Sequence, residues 1–330
     1  MELLLFRQST WKEEYNCDSY TANYQTEEYD HFYLSILYIF LGSVFLIMYI
    51  PCIYAMTKGN MLTESCYKIM LCLAVYDVLG LVVSGIVSGV FGLLHFGFCS
   101  SPITLYVLGS VGDLAWFGQV STALLLALNR CFFLRNVHLS NVLFGGNRTW
   151  IWMLFGPFAW SFIGFMTSRP AILSLSCMVW FMNPHDGYIK DAANLYNLPP
   201  YHYSNNIIGA TALPGVYIMF LVLYYLKTNH WAFKGASYLQ QSVFFQSLLI
   251  SLFTAVLASS YLAIQYIHIP KEWYYFTQLM WIVFSGLASV VYLVMNRSIR
   301  RRIWKVIRHR ALSPQFIECT FKLPRRYQFL

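Results

Sequence analysis

Apolar residues run along this chain in blocks long enough to cross about 30 Å of hydrocarbon. They show neither a narrow 3.6-residue stripe nor strict alternation, so lipid, not a soluble core, is their solvent. Seven such blocks stand out, at 32–56, 69–93, 104–128, 150–168, 207–226, 242–267 and 273–295. The second holds one charge, Asp77, the third holds one, Asp113, and the other five hold none. The stretch 170–185 is also apolar, but two prolines and an Asn-Pro pair predict a loop or an extension of the fourth helix. After Met295, Ile299, Ile303, Trp304 and Ile307 recur at helical spacing among basic residues, which predicts a short amphipathic helix lying on a membrane surface. The expected fold is an all-α membrane protein, a seven-transmembrane helix bundle with an eighth amphipathic helix. It divides into an extracellular N-terminal segment (1–31), the bundle (32–295) and a cytoplasmic tail (296–330).

Composition agrees. Hydrophobic side chains make up 58% of 330 residues and charged ones 11%, less than half the usual share. That excludes two soluble domains, and an aromatic content of 18% excludes disorder. The net charge of +8 reflects sidedness. With the N-terminus outside, the inner face collects Lys58, Lys68, Arg130, Arg135, Arg148, Lys227, Lys234 and every basic residue after Met295. The outer face keeps only Arg7, Lys12, Arg169, Lys190 and Lys271, and gains most of the acids. This is the positive-inside pattern. The basic run from Arg300 to Arg310 therefore reads as contact with anionic membrane lipid, not nucleic acid. The opening residues are too short for a signal peptide, and the first span is expected to serve as its own insertion signal.

Candidate chemistry is sparse. The eight histidines fall in loops or at helix ends, with no i,i+4 pair and no meeting with carboxylates, so no metal site, cofactor or enzyme activity is expected. Gly85 and Gly89 form a small-xxx-small pair that predicts tight packing within the bundle. A carboxylate inside a span usually faces the bundle interior and often has a task. Asp77 and Asp113 lie near opposite membrane surfaces and are expected to act separately. Asp113, Trp116 and Phe117 on the third helix, with Tyr274, Tyr275 and Gln278 on the seventh, are the candidate ligand-binding residues. A mostly aromatic site with one acid suits a small apolar or amine-bearing molecule. Gln119, three turns before Arg130, is expected to share a buried network with Asp77. Arg130 is expected to offer its fork of donors to a partner's carbonyls, with Tyr292 hydrogen-bonded behind it.

Local motifs resemble those of rhodopsin-like G-protein-coupled receptors. They are Leu73-Ala74-Val75-Tyr76-Asp77 on the second helix, Leu128-Asn129-Arg130-Cys131 ending the third, and Tyr292 followed by Asn296, Arg297 and Arg300 entering the eighth. A closer resemblance covers nearly the whole chain. Tyr15-Asn16-Cys17, Tyr49-Ile50-Pro51-Cys52, Ser65-Cys66-Tyr67-Lys68-Ile69-Met70, Cys99 with Pro102, Leu126 to Cys131, Leu143-Phe144 through Trp150, and Met295 to Arg300 look like the nematode serpentine receptor class T chemoreceptors. The resemblance implies a chemosensory receptor in the plasma membrane, a sensory cilium included, that couples a small-molecule cue to a heterotrimeric G protein. Asp77, Gln119, Asn129, Arg130, Tyr292, Asn296 and Arg300 are the candidate switch and coupling residues.

The departures are specific. Asn129 replaces the acid beside Arg130, Ala288 and Ser289 stand where rhodopsin-like receptors carry Asn-Pro, and the sixth span has no internal proline. Cys99 is expected to form a disulfide on the outer side, with Cys177 by analogy to rhodopsin-like receptors or with Cys17 by the class T resemblance. Both glycosylation sequons, at Asn147 and Asn296, fall on the inner side and should stay unmodified. The rival reading is a ligand-gated ion channel with seven spans in the opposite orientation, which would invert the charge bias.

Overall fold

A computed structural model describes residues 1–17, 31–58, 60–184, 199–228, 238–266 and 270–311. Two short helices, α1 (Glu2–Phe6) and α2 (Gln8–Glu14), precede the bundle. The first span is α3 (Phe32–Thr57), and the second is α4 (Ser65–Leu81) continued through a π turn into α5 (Ser88–Leu93). The third is α6 (Pro102–Arg135), followed by a short α7 (Val137–Phe144). The fourth joins α8 (Arg148–Met153) and α9 (Ala159–Thr167) across a π turn at Leu154–Phe158. The fifth joins α10 (Pro200–Ile207) and α11 (Leu213–Thr228) the same way. The sixth and seventh are α12 (Tyr238–Tyr266) and α13 (Lys271–Met295), and α14 (Arg297–Ala311) closes the described chain.

Six of these spans are long and apolar enough to cross a membrane on length and composition, and α12 carries a shorter apolar stretch, Leu248–Ile264. Side chains such as Phe40, Ile47 and Phe155 are exposed around the outside, while polar ones turn inward. This inversion is what a lipid solvent selects. α6 is the most buried span and packs against α4, α9 and α11, while α13 closes the opposite side against α3, α4 and α12.

The stretch 170–185 resolves into a β-hairpin, β1 (Ile172–Ser174) antiparallel to β2 (Val179–Phe181), with Leu173 opposite Trp180. It is no extension of the fourth helix: α9 stops at Thr167, ahead of Pro170, which disfavours helix in the residue before it. The hairpin roofs one end of the bundle. A Cβ on Gly109 would stand 1.9 Å from the Ala171 carbonyl oxygen, so only glycine lets the roof sit this close to α6. Gly89 does the same for the first two spans, since a Cβ there would stand 2.5 Å from the Ser35 oxygen. Gly85 meets Gly42 beside it.

The N-terminal segment is tied to the roofed end. Trp11 and Tyr15 pack edge-on against Tyr106, with centroids 5.8 and 4.9 Å apart. Arg169 grips Glu14 through Nε and Nη2 at 3.0 and 2.9 Å. That pairing, led by the hydrogen bond, holds the Arg169 pKa above its ordinary value. A disulfide joins Cys17 to Cys99. Cys177, the other partner considered for Cys99, lies in the hairpin turn and takes a hydrogen bond from Ser176 at 3.6 Å. The charges expected at Asp18, Glu27, Glu28, Asp30, Asp186, Lys190, Asp191 and Lys234 lie outside the described residues, as does the tail beyond Ala311.

Candidate functional site

Helical spacing puts Asp113, Trp116 and Gln119 on one face of α6, at i, i+3 and i+6. At the roofed end, Asp113 and Trp116 line a small cavity of about 20 Å³, room for about one water. Trp180 and Met182 close it from the hairpin, and His202, Tyr261 and Trp281 close it from the fifth, sixth and seventh spans. Two of its polar atoms, Asp113 Oδ2 and the Tyr261 hydroxyl, are buried without a hydrogen-bond partner.

Asp113 is oriented by a chain of side chains. Trp116 Nε1 donates to Asn206 Oδ1 at 2.8 Å, and Asn206 Nδ2 lies 3.2 Å from His202 Nδ1. An indole N–H only donates, so the amide oxygen must face it and the amide nitrogen must face the histidine. His202 Nδ1 is then the acceptor, and a neutral ring carries its proton on Nε2. That nitrogen lies 3.6 Å from Asp113 Oδ1. The expectation that no histidine meets a carboxylate fails here. Reading the fifth span from residue 207 left His202 outside it, whereas Pro200 at the first helical turn starts the helix earlier.

The other four candidates for ligand contact lie elsewhere. Phe117 follows Trp116 by about 100° of helix rotation and packs on Tyr201 and on His202, behind the cavity wall and not lining it. Tyr274 packs against Phe181 of the roof and Tyr275 against His31. Gln278 turns to the second span, where Nε2 donates to the Ser84 carbonyl at 2.8 Å. Sequence reasoning missed Trp180, Met182, His202, Tyr261 and Trp281.

A second polar cluster lies at mid-bundle. Asp77 accepts from Tyr49 at 2.7 Å and from Gln119 Nε2 at 3.0 Å, and the same Nε2 lies 2.8 Å from Ser285 Oγ. Tyr49 also reaches the Ser285 carbonyl at 2.9 Å. Gln119 does stand beside Asp77, and Tyr49 and Ser285 complete the cluster. The two clusters touch: Trp281, a wall of the cavity, points Nε1 at Gln119 Oε1 across 3.4 Å.

At the unroofed end, Asn129 Nδ2 donates to Ser65 at 3.1 Å, tying α6 to the start of α4. Arg130 is half-buried, with Nη2 3.9 Å from the Met70 sulfur and no hydrogen-bond partner for Nε. No carboxylate pairs with it among the described residues. The hydrogen bond expected from Tyr292 is not formed; its hydroxyl is buried without a partner. Asn296 caps α14, accepting from the backbone of Ser298 and Ile299 at 3.1 Å each, and Arg300 donates to the Val294 carbonyl. Both are thus accounted for as helix-junction residues. Among the described residues no group of three or more His, Cys, Asp or Glu could hold a metal.

The helical bundle with these buried clusters is a multi-pass, seven-transmembrane membrane protein. The family described as serpentine type 7TM GPCR chemoreceptor Srt matches residues 2–315, and the chain belongs to that family. It is similar to the serpentine receptor class T-55 of Caenorhabditis elegans, 24% identical over 277 residues that cover 83% of this chain and 74% of that protein. The family is one of receptors, not enzymes.

Proposed function

We propose that this chain is a G-protein-coupled chemosensory receptor of the plasma membrane, with the roofed end and residues 1–31 outside and the tail 296–330 in the cytoplasm. It binds a small external molecule at Asp113 and activates a heterotrimeric G protein through Arg130. The observation that carries this reading is Trp281, which walls the cavity and contacts Gln119 of the Asp77 cluster. A ligand that shifts one indole disturbs the central hydrogen bonds directly, so occupancy can bias a two-state bundle. The unpartnered Asp113 Oδ2 beside Trp116, Trp180 and Trp281 favours a compact cation or hydrogen-bond donor with an apolar body. Because the cavity holds only about one water in this state, binding a larger molecule requires its walls to move apart.

A cell line expressing the receptor with a panel of G proteins, challenged with small amines and their uncharged isosteres, tests this. An amine response lost in Asp113→Asn at unchanged surface expression is expected. A ligand-evoked current that persists without any G protein would replace this reading with the channel.

A further inference from the structure

On the flank of the bundle, α6, the fourth span and α10 enclose a second hollow of about 370 Å³ that shares no lining residue with the Asp113 cavity. It lies where the fourth span leaves α geometry, at the π turn Leu154–Phe158 with Pro157 inside. A Cβ on Gly156 would meet nothing within 4 Å. Trp152, Phe155 and Ile163 at its margin are exposed, Phe155 by 75%. The hollow therefore opens sideways, onto the lipid-facing surface. None of its lining residues is charged.

Two polar side chains interrupt this apolar wall, Ser121 and Asn205, and Ser121 Oγ is satisfied within α6 by the Phe117 carbonyl at 2.6 Å. Asn205, fully buried on α10, accepts from Trp160 Nε1 at 3.0 Å. The donor-only indole again fixes the amide, with Oδ1 toward Trp160 and Nδ2 turned away. That Nδ2 is buried without a hydrogen-bond partner. Such an orphan donor is destabilising, and bilayer hydrocarbon offers nothing to satisfy it.

We propose that the hollow is a binding site for a neutral sterol-class lipid arriving laterally from the bilayer. Its single oxygen accepts a hydrogen bond from Asn205 Nδ2, and its fused rings lie against Trp152, Phe155 and Trp160. The site's chemistry selects this class. A phospholipid would bring a charged headgroup to a wall without charge. A flexible single chain would lose more rotational freedom on binding than a rigid ring system does. The volume lies in the range of small-ligand sites. The proposal rests on the membrane placement of the bundle and not on the receptor reading.

The test is photolabelling of the full-length protein in lipid nanodiscs with a sterol carrying a diazirine and an alkyne tag, mapped by peptide. Label is expected on peptides spanning 152–163 and 205–208. A 3-hydroxy sterol and a 3-keto sterol, which only accepts, should compete equally. A sterol hydrocarbon without oxygen should compete about tenfold more weakly, worth about 1.4 kcal/mol. Asn205→Leu should erase that difference, and Gly156→Leu, which fills open space, should abolish the label. If Gly156→Leu does not fold, the three competitors and Asn205→Leu decide alone. Label spread over all exposed spans, equal competition by the hydrocarbon, or stronger displacement by a long-chain alcohol would each overturn the proposal.

Discussion

Gln119 is the residue on which the interior turns, because its amide meets Asp77 and Ser285 on one side and Trp281 on the other. Replacing it with leucine leaves the Asp77 carboxyl with one donor in a water-poor interior, a loss of about 1–3 kcal/mol. Gln119→Leu should lower the melting temperature in detergent and alter basal signalling, and a variant that does neither removes the coupling role. Arg130→Ala should leave ligand binding intact and abolish nucleotide exchange on the G protein; normal exchange at equal expression would clear Arg130 of that role. The neighbourhood of Gln119 and Asp77 was legible because both are polar where the pattern demands apolar residues. Phe117 was misplaced because a list of neighbours in sequence ignores the 100° turn between them. His202 escaped notice because hydropathy marks a helix by its apolar middle, and polar ends of buried helices look like loops.

At the scale of elements, the seven spans appear in the sequence, since lipid demands length and leaves no substitute for it, but α6 runs seven residues past 128 and the fifth span starts seven residues before 207. The hairpin was less legible: each strand has three residues, and periodicity needs more than that to speak. Its seat is nonetheless sharply specified. Gly109→Val should push Ala171 off α6 and open the cavity roof, seen as faster protease cleavage in 170–185 and a weakened ligand response. Unchanged cleavage would mean that the hairpin can shift without cost. The π turns in the second, fourth and fifth spans left no distinct mark in the pattern, because one extra residue per turn does not disturb a helix that is apolar on all sides.

For the whole molecule, the disulfide and the charge bias make independent claims. Cys17 and Cys99 are 82 residues apart, and closing so long a loop typically adds about 2–4 kcal/mol. Cys17→Ser should lower the melting temperature and release α2 to proteolysis, whereas Cys177→Ser should spare both. Epitope tags at the two termini test the sidedness, with an N-terminal tag labelled on intact cells and Asn147 unglycosylated as the expected outcome. Sequence alone left the cysteine pairing open, since three-dimensional proximity of Cys99 to either partner depends on loops that carry no periodic signal.

The length of α6 has a geometric corollary. Its 34 residues make a rod of about 50 Å, far longer than the hydrocarbon it crosses, with Asp113 toward one end, Gln119 between and Arg130 toward the other. Taking Gln119 as fulcrum, the short arm to Asp113 measures about 9 Å and the long arm to Arg130 about 16 Å at helical rise. Any tilt of the rod is thereby magnified nearly twofold between the two ends. A half-ångström nudge at the carboxylate becomes nearly an ångström at the guanidinium, before any helix bends.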